Sequence, residues 1–478
     1  MSGSTLVAAG PLLAAAALPV ALLLLNSLGR RNGPALVLSL AGFGAVLSLL
    51  PGAADRAPLQ LTSLLQLDGA ALYFVALATL AGAATVLLLG AGSNRDDDRG
   101  PLYLLLAIAV LGAAILATSR HFASLFLGLE LVSVPLFPLI AFPRHAPSAL
   151  EAGIKYLVMS AVGTALLLFG AALIYAGTGN LEFAAIGLAL AGPAQLSTLG
   201  GLILVLAGLA VKLSLVPLHW WTPDVYQGAP AAVAGFLSTV SKGAVLMALL
   251  RLFGEAGALG QEALSTPLGA LAILSMLGGN LLALRQSDVK RMLAGSSIAH
   301  MGYLMVAIVA VDRLGSEAVA FYLAAYFITM LGAFGAVSLI QPEGDPSHAS
   351  LERLRGLHRN RPWLALSFTA MLLSLAGLPV TAGFVGKFYL FAAGLHAHLW
   401  SLVGVLAVSS VIGLFYYLRT VALLYAAPSP EAAAKPPLRS PTAGALALTA
   451  LTLALIWAGL YPGGLIGLIR AVGFPDTL

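Results

Sequence analysis

Cysteine is absent from this 478-residue chain, and charge is scarce: Asp, Glu, Lys and Arg together make up 9% of it. An ordinary soluble domain carries about 25% charged residues. Without cysteine the chain forms no disulfide, holds no thiolate-ligated iron–sulfur cluster and offers no cysteine nucleophile. Its sequence also lacks a phosphate-cradling glycine-rich turn, a cluster of metal ligands and a nucleophile set beside a base, so no self-contained enzyme is expected. No stretch is left over that is polar enough and long enough to fold as a soluble domain.

What the chain has instead is apolar sequence, 60% of its residues, together with 52 glycines that suit close helix packing in lipid. Runs near 20 residues recur from end to end, each able to cross a hydrocarbon core about 30 Å thick. They fall at 5–26, 34–51, 69–92, 101–118, 122–141, 149–176, 198–226, 229–250, 266–284, 292–311, 316–340, 362–395, 399–425 and 441–468, and are numbered spans 1 to 14. The expected fold is an all-α membrane protein of about fourteen transmembrane helices. The first run has no basic leader and is a full span in length, so it reads as a retained helix rather than a cleavable signal peptide.

The basic residues set an orientation. Loops after the odd-numbered spans hold Arg30, Arg31, Arg95, Arg99, Arg144, Arg285, Lys290, Arg291, Arg353, Arg355, Arg359, Arg361, Arg419, Lys435 and Arg439. The opposite side holds Arg56, Arg120, Arg251, Arg313 and Arg470. By the positive-inside rule the first set is cytoplasmic, and both termini face outward. The net charge of +5 is therefore an orientation signal and not a mark of nucleic-acid binding.

Span 7 contains Leu213-Ser214-Leu215-Val216-Pro217 and span 12 contains Leu373-Ser374-Leu375-Ala376-Gly377-Leu378-Pro379. Both spans are longer than one crossing needs, and each holds a lysine near its proline: Lys212 before Pro217, Lys387 after Pro379. Proline removes an N–H and clashes with the preceding turn, so broken helices are expected at both places. Matching interruptions in two parts of a chain point to a transporter built from repeats. The expected division is an N-terminal three-helix segment (1–100), a first five-helix repeat (101–252, spans 4–8), a second (266–425, spans 9–13) and a C-terminal span (441–478). Five is odd, so successive blocks enter the membrane from opposite sides and the repeat is inverted. Residues 341–361 form a polar connector, 426–441 a Pro/Ala-rich linker, and 177–197 a loop with a short surface helix.

Charges inside the spans are the candidates for chemistry. A charge near the bilayer centre costs about 2.5–3.5 kcal/mol on insertion scales, and such residues mark ion or proton pathways by default. Glu130 lies mid-depth in span 5 and Lys212 mid-depth in span 7, within one expected repeat, so Lys212 is the expected basic partner of Glu130. Lys242 is central in span 8, and Lys387 follows the break in span 12 among glycines. Lys155 has Glu151 four residues before it near a span end, which fits an ordinary i,i+4 pair as well as a relay. His300, deep in span 10, is either a proton carrier or a hydrogen-bonded core histidine. His219, beside Trp220 and Trp221, is packing or an interface anchor.

Residues 212–242 read KLSLVPLHWWTPDVYQGAPAAVAGFLSTVSK. That segment resembles the most characteristic stretch of the N-type, antiporter-like subunits of bacterial NADH-quinone oxidoreductase, respiratory complex I. FASLFLGLEL at 122–131, SALEAGIKY at 148–156, VKRMLAGSSIAHMGYL at 289–304 and SLAGLPVTAGFVGKFY at 374–389 are similar to that family too, with its spacing. The lysine–proline segment by itself also fits multi-subunit cation/proton antiporters; PDVYQGAP with GFVGKF and His300 narrows the resemblance to the N type.

The resemblance implies fourteen helices, two inverted five-helix repeats, broken helices 7 and 12, and a buried line of ionisable residues for proton translocation. It carries the family's glutamate–lysine pair onto Glu130 and Lys212, its central lysine onto Lys242 and its output-side lysine onto Lys387. NAD, FMN, iron–sulfur clusters and quinone are expected in partner subunits, with none in this chain. Other membrane subunits of the complex and the lipid of a bacterial inner membrane are the expected surroundings. A sodium/proton antiporter subunit, or a membrane scaffold whose charges only join helices, are the alternatives.

Overall fold

The chain's computed structural model describes residues 3–29, 32–90, 99–143, 145–190, 195–257, 262–310, 313–340, 349–427 and 442–473. Arg30, Arg31, Arg95, Arg144, Lys435 and Arg439, most of the 426–441 linker and the first part of the 341–361 connector lie outside them. Among the described residues, 13 helices are long and apolar enough to cross a membrane, and each falls on an expected run. The remaining run, span 12, is two shorter helices, Pro362–Ala376 and Ala382–His396. Helices are the economical answer for such sequence, since each satisfies its backbone N–H and C=O groups internally.

Two features differ from expectation. The last run is not one helix: Thr442–Leu460 stops, and a separate helix, Pro462–Val472, follows. Pro462 restricts the residue before it, and Tyr461 accordingly leaves the helical region at φ −128°, ψ 64°. Between spans 2 and 3 a small antiparallel ladder pairs Leu59 with Leu67 and Gln60 with Gln66. The short helix of the 177–197 loop is Phe183–Leu190, with Phe183, Ile186 and Leu190 turned inward.

Burial sorts the helices into centre and rim. Span 8, Ala231–Glu255, is wholly enclosed, and Val289–Ala310 (span 10) and Arg313–Ile340 (span 11) nearly so. Gly10–Ser27 and Asn32–Ala54 lie at the rim, with about a quarter of their residues buried. Spans 6 and 7 (Pro147–Thr178 and Leu196–Leu213) approach backbone to backbone through glycine. A Cβ on Gly208 would stand 2.5 Å from the carbonyl oxygen of Gly163. Small residues at such a crossing let two membrane helices close in.

Both expected breaks are present and end their first half in the same way. In span 7 the helix Leu196–Leu213 stops at Ser214, which is left-handed at φ 61°, and the N–H of Leu215 bonds back to Ala210 at 2.9 Å. The chain then runs past Pro217 into the helix Trp221–Gly228. In span 12, Gly377 at φ 81° plays the part of Ser214, and the N–H of Leu378 bonds back to Leu373 at 3.1 Å. Thr381 then opens the second half by accepting the N–H of Phe384 at 3.3 Å. A left-handed residue with a bond back across the last turn is a standard helix stop, and the proline that follows prevents resumption.

Candidate functional site

Lys212 stands in the last turn of the first half of span 7, where uncapped carbonyls favour a cation. Its side chain is buried, and Nζ donates to Ser160 Oγ at 2.5 Å and to Ser133 Oγ at 2.8 Å. The close crossing of spans 6 and 7 described above brings Ser160 within reach. A cavity of about 10 Å³, the size one water molecule needs, adjoins the lysine and is lined by Tyr156, Ser160, Val211, Trp221 and Ser241. Trp221 is held there by its indole N–H, which donates to the Val211 carbonyl at 3.1 Å.

Ser241, on the far wall of that cavity, is the residue before Lys242. Leu237–Ser241 is a π-helical turn within span 8, a local irregularity that often accompanies functional positions. Lys242 is fully enclosed; its Nζ donates to Ser297 Oγ at 2.9 Å and lies 5.5 Å from the centre of the Tyr226 ring. Ser297 Oγ in turn bonds the Tyr326 hydroxyl at 2.8 Å, and the Tyr226 hydroxyl approaches it at 3.4 Å. The bonded run from Lys242 ends at Tyr326, whose ring lies 5.5 Å from that of His300.

His300 sits among tyrosines. Nδ1 bonds the Tyr322 hydroxyl at 2.7 Å and Nε2 the Tyr417 hydroxyl at 3.2 Å. A neutral imidazole donates through one nitrogen and accepts through the other, so one tyrosine hydroxyl donates a hydrogen bond to the ring and the other accepts one from it. Tyr417 also bonds Ser296. The Tyr303 ring stands edge to face with the imidazole at 5.2 Å, and the same ring lies 5.3 Å from Lys387 Nζ. Lys387 donates to the Ala376 carbonyl at 2.9 Å, reaching from the second half of span 12 to the last residue of the first.

Lys212, Lys242, His300 and Lys387 are thus brought into one buried succession, with hydroxyl groups and aromatic faces between them. Glu130 is set apart from its expected partner. Its carboxylate accepts from Thr164 Oγ1 at 2.8 Å, and no ion pair within 4 Å joins it to Lys212. The serines hold the ammonium, and Thr164, one turn along span 6 from Ser160, holds the carboxylate.

Lys155 lies elsewhere. It pairs with Glu151 and with Asp224, each at 2.6 Å, and is 40% exposed. Asp224 belongs to the second half of span 7, and its other oxygen takes Arg291 at 2.7 Å. These groups border a cavity of about 170 Å³ lined by Ser148, Glu151, Lys155, Asp224 and Gln227. The i,i+4 pair expected from sequence is present, widened into a network that ties spans 6, 7 and 10 together. His219 stacks on Trp220 at 5.0 Å, with Trp220 largely exposed, an arrangement of packing at the rim.

Sequence reasoning left several functional neighbours unnamed. Ser133, Ser160, Ser297, Tyr303 and Tyr326 look unremarkable in apolar runs, because a hydroxyl costs little to insert and marks no motif by itself. Lys290 reads from sequence as loop charge, yet the structure encloses it completely and its Nζ donates to the Ala229 carbonyl at 3.0 Å. Ala229 follows the second half of span 7, so Lys290 and Arg291 together hold that half-helix.

The family model for the NADH:quinone oxidoreductase/Mrp antiporter membrane region matches residues 119–413. Subunit N of NADH-quinone oxidoreductase from Ectopseudomonas mendocina is 45% identical, covering 97% of this chain and 96% of its own length. The corresponding subunit N from Methylococcus capsulatus is 45% identical over 98% of this chain and 95% of its own. Among solved structures, a chain of respiratory complex I from Thermus thermophilus superposes with a TM-score of 0.83 at 35% identity, covering 97% of this chain and 100% of that one. A chain of the Mrp complex from Dietzia shares the fold, with a TM-score of 0.85 at 20% identity over 99% of this chain and 97% of its own.

The chain belongs to the NADH:quinone oxidoreductase/Mrp antiporter membrane family. Within that family it is of the subunit N type of NADH-quinone oxidoreductase.

Proposed function

We propose that this chain is the proton-translocating membrane subunit N of NADH-quinone oxidoreductase. It works without a redox centre of its own, while NAD, FMN, iron–sulfur clusters and quinone reside in partner subunits. The observation that carries the reading is the buried succession Lys212, Lys242, His300 and Lys387, with serine hydroxyls, tyrosine side chains and one small cavity between them. Ammonium groups enclosed in a membrane bundle are costly, and hydrogen-bond contacts between membrane helices average only about 0.6 kcal/mol. A scaffold has little reason to retain three of them. Helix glue is therefore a poor account of these residues.

In this reading the chain consists of a three-helix segment, two inverted five-helix blocks (101–252 and 266–425) and a terminal span. Its termini face the periplasm, as the basic loop residues support. A proton enters at the break in span 7 and is held on Lys212. It passes by the Tyr156–Ser241 cavity to Lys242 and Ser297, then by the tyrosines around His300 to Lys387 for release. Glu130, held by Thr164, acts on Lys212 through its field rather than by contact. Withdrawing or approaching that carboxylate changes how tightly Lys212 keeps its proton. Lys155, with Asp224 and Arg291, stands outside this line and shapes the break in span 7.

The test is proton pumping in membrane vesicles oxidising NADH. Lys212→Met and Glu130→Ala each abolish or strongly reduce pumping; normal pumping in both refutes their assignment. The antiporter alternative rests on fold shared at 20% identity; copurification with an NADH-oxidising complex separates it from the reading favoured by the relatives at 45%.

A further inference from the structure

We propose that Tyr303 is a positioning residue for Lys387: its ring face receives the ammonium, and a clamp of Asn280 and Ser409 fixes the ring. The inference deepens the reading of Lys387 given above and rests on it. Lys387 is buried, and its hydrogen bond goes to one backbone carbonyl, that of Ala376 at 2.9 Å. An ammonium has three N–H groups to give. The negative face of an aromatic ring is the natural second partner in a desolvated place, and Tyr303 presents one at 5.3 Å.

A ring serves this purpose only if it cannot turn away. The Tyr303 hydroxyl is held by Asn280 Nδ2 at 2.9 Å and Ser409 Oγ at 3.1 Å. Asn280 is completely buried: its Nδ2, with two hydrogens to share among its neighbours, also lies 2.6 Å from Ser409 Oγ and 2.8 Å from the Met276 carbonyl, while Oδ1 accepts from Tyr416 at 2.9 Å. Span 9 supplies Asn280, span 10 Tyr303 and span 13 Ser409 and Tyr416. Two other helices thus hold one phenol whose ring lies against Lys387 and His300.

The arrangement has a counterpart at Lys242. That ammonium also makes one hydrogen bond, to Ser297, and lies 5.5 Å from the Tyr226 ring, whose hydroxyl approaches the same serine. At both lysines a tyrosine face stands in for a counterion. A face attracts the ammonium without a full negative charge, so the proton is held but not trapped. A carboxylate in the same place would bind it far more strongly in so dry a setting.

The experiment uses the intact complex in proteoliposomes, with pumping and NADH oxidation measured side by side. Tyr303 is replaced by Phe and Leu, and by a series of ring-fluorinated phenylalanines that keep shape while draining the ring face. Tyr303→Phe, which keeps the ring face but frees it from the Asn280–Ser409 clamp, pumps less than wild type and is the reference without fluorine; Tyr303→Leu loses pumping roughly tenfold; the fluorinated series declines from the Phe value in step with fluorine count. A packing role gives a flat fluorine series, and that result overturns the proposal even if the Leu variant fails to assemble. Lys387→Met is run in parallel. Normal pumping there removes the reading of Lys387 itself, whereas lost pumping in Lys387→Met with a flat fluorine series removes only the role of Tyr303.

Discussion

Lys387 donates a 2.9 Å hydrogen bond to the carbonyl of Ala376, so a lysine in the second half of span 12 closes the end of the first. Gly377 makes the contact possible. A Cβ there would stand 2.8 Å from Lys387 Cδ and 3.2 Å from Nζ, and the backbone is left-handed at φ 81°.

Gly377→Ala is accordingly expected to displace Lys387. The left-handed backbone adds roughly 1–2 kcal/mol of local strain for any residue with a Cβ. The complex assembles, and pumping falls at least severalfold. Pumping per NADH oxidised, measured against the amount of assembled complex, checks it; wild-type pumping would show that Lys387 does not need this position.

Ser297 is the hydroxyl between Lys242 and Tyr326. Ser297→Ala leaves the Lys242 ammonium without its acceptor, a loss worth about 1.5–3 kcal/mol for a charged group. Pumping is expected to drop about tenfold or more, and Ser297→Thr, which keeps the hydroxyl, to restore most of it. Equal behaviour of the Ala and Thr variants would mean that volume matters there and the hydroxyl does not.

Lys155 offers a contrast with Lys212. Its ion pairs to Glu151 and Asp224 are partly exposed, and pairs of that kind contribute about 0–1 kcal/mol. Lys155→Met is expected to shift the melting temperature of the complex little and to retain most pumping, where Lys212→Met abolishes it. Complete loss in Lys155→Met would move this lysine into the proton path.

The buried pair between Arg251 and Asp68, with bonds of 2.7 and 2.9 Å, joins the end of span 8 to the start of span 3. Arg251→Met strands the Asp68 carboxylate and is expected to destabilise the subunit by about 3–5 kcal/mol. Adding Asp68→Leu recovers most of this. Recovery stays incomplete because Asp68 also accepts the Ala71 N–H at 2.9 Å, a cap worth about 1 kcal/mol. Thermal unfolding of the purified complex reads both steps; no recovery in the double variant would assign the loss to packing instead.

Much of this was legible in the chain. Apolar length marks a membrane helix because lipid offers no partner for backbone groups, and all the expected spans appear. Pro217 and Pro379, each inside an apolar run longer than one crossing needs, foretell the breaks that the structure places at Ser214 and Gly377. Pro462 carries similar information, but hydropathy does not fall there, so the run to residue 468 reads as one helix where the structure has two. Lys290 misled for the opposite reason: beside Arg291 and near a span end it looks like loop charge, whereas the half-helix packed over it encloses it.

By itself the sequence determined that this chain lives in lipid, that spans 7 and 12 break, and that Glu130, Lys212, Lys242, His300 and Lys387 fall inside its spans, since hydrophobic length and the charges within it are properties of single segments. Which group touches which was decided by tertiary structure alone. Ser160 rather than Glu130 takes Lys212, and Tyr303 faces Lys387, because helices far apart in the chain meet at glycine crossings and turn particular hydroxyls inward. A hydroxyl or a ring acquires a role only from what packs against it, and no local pattern records that.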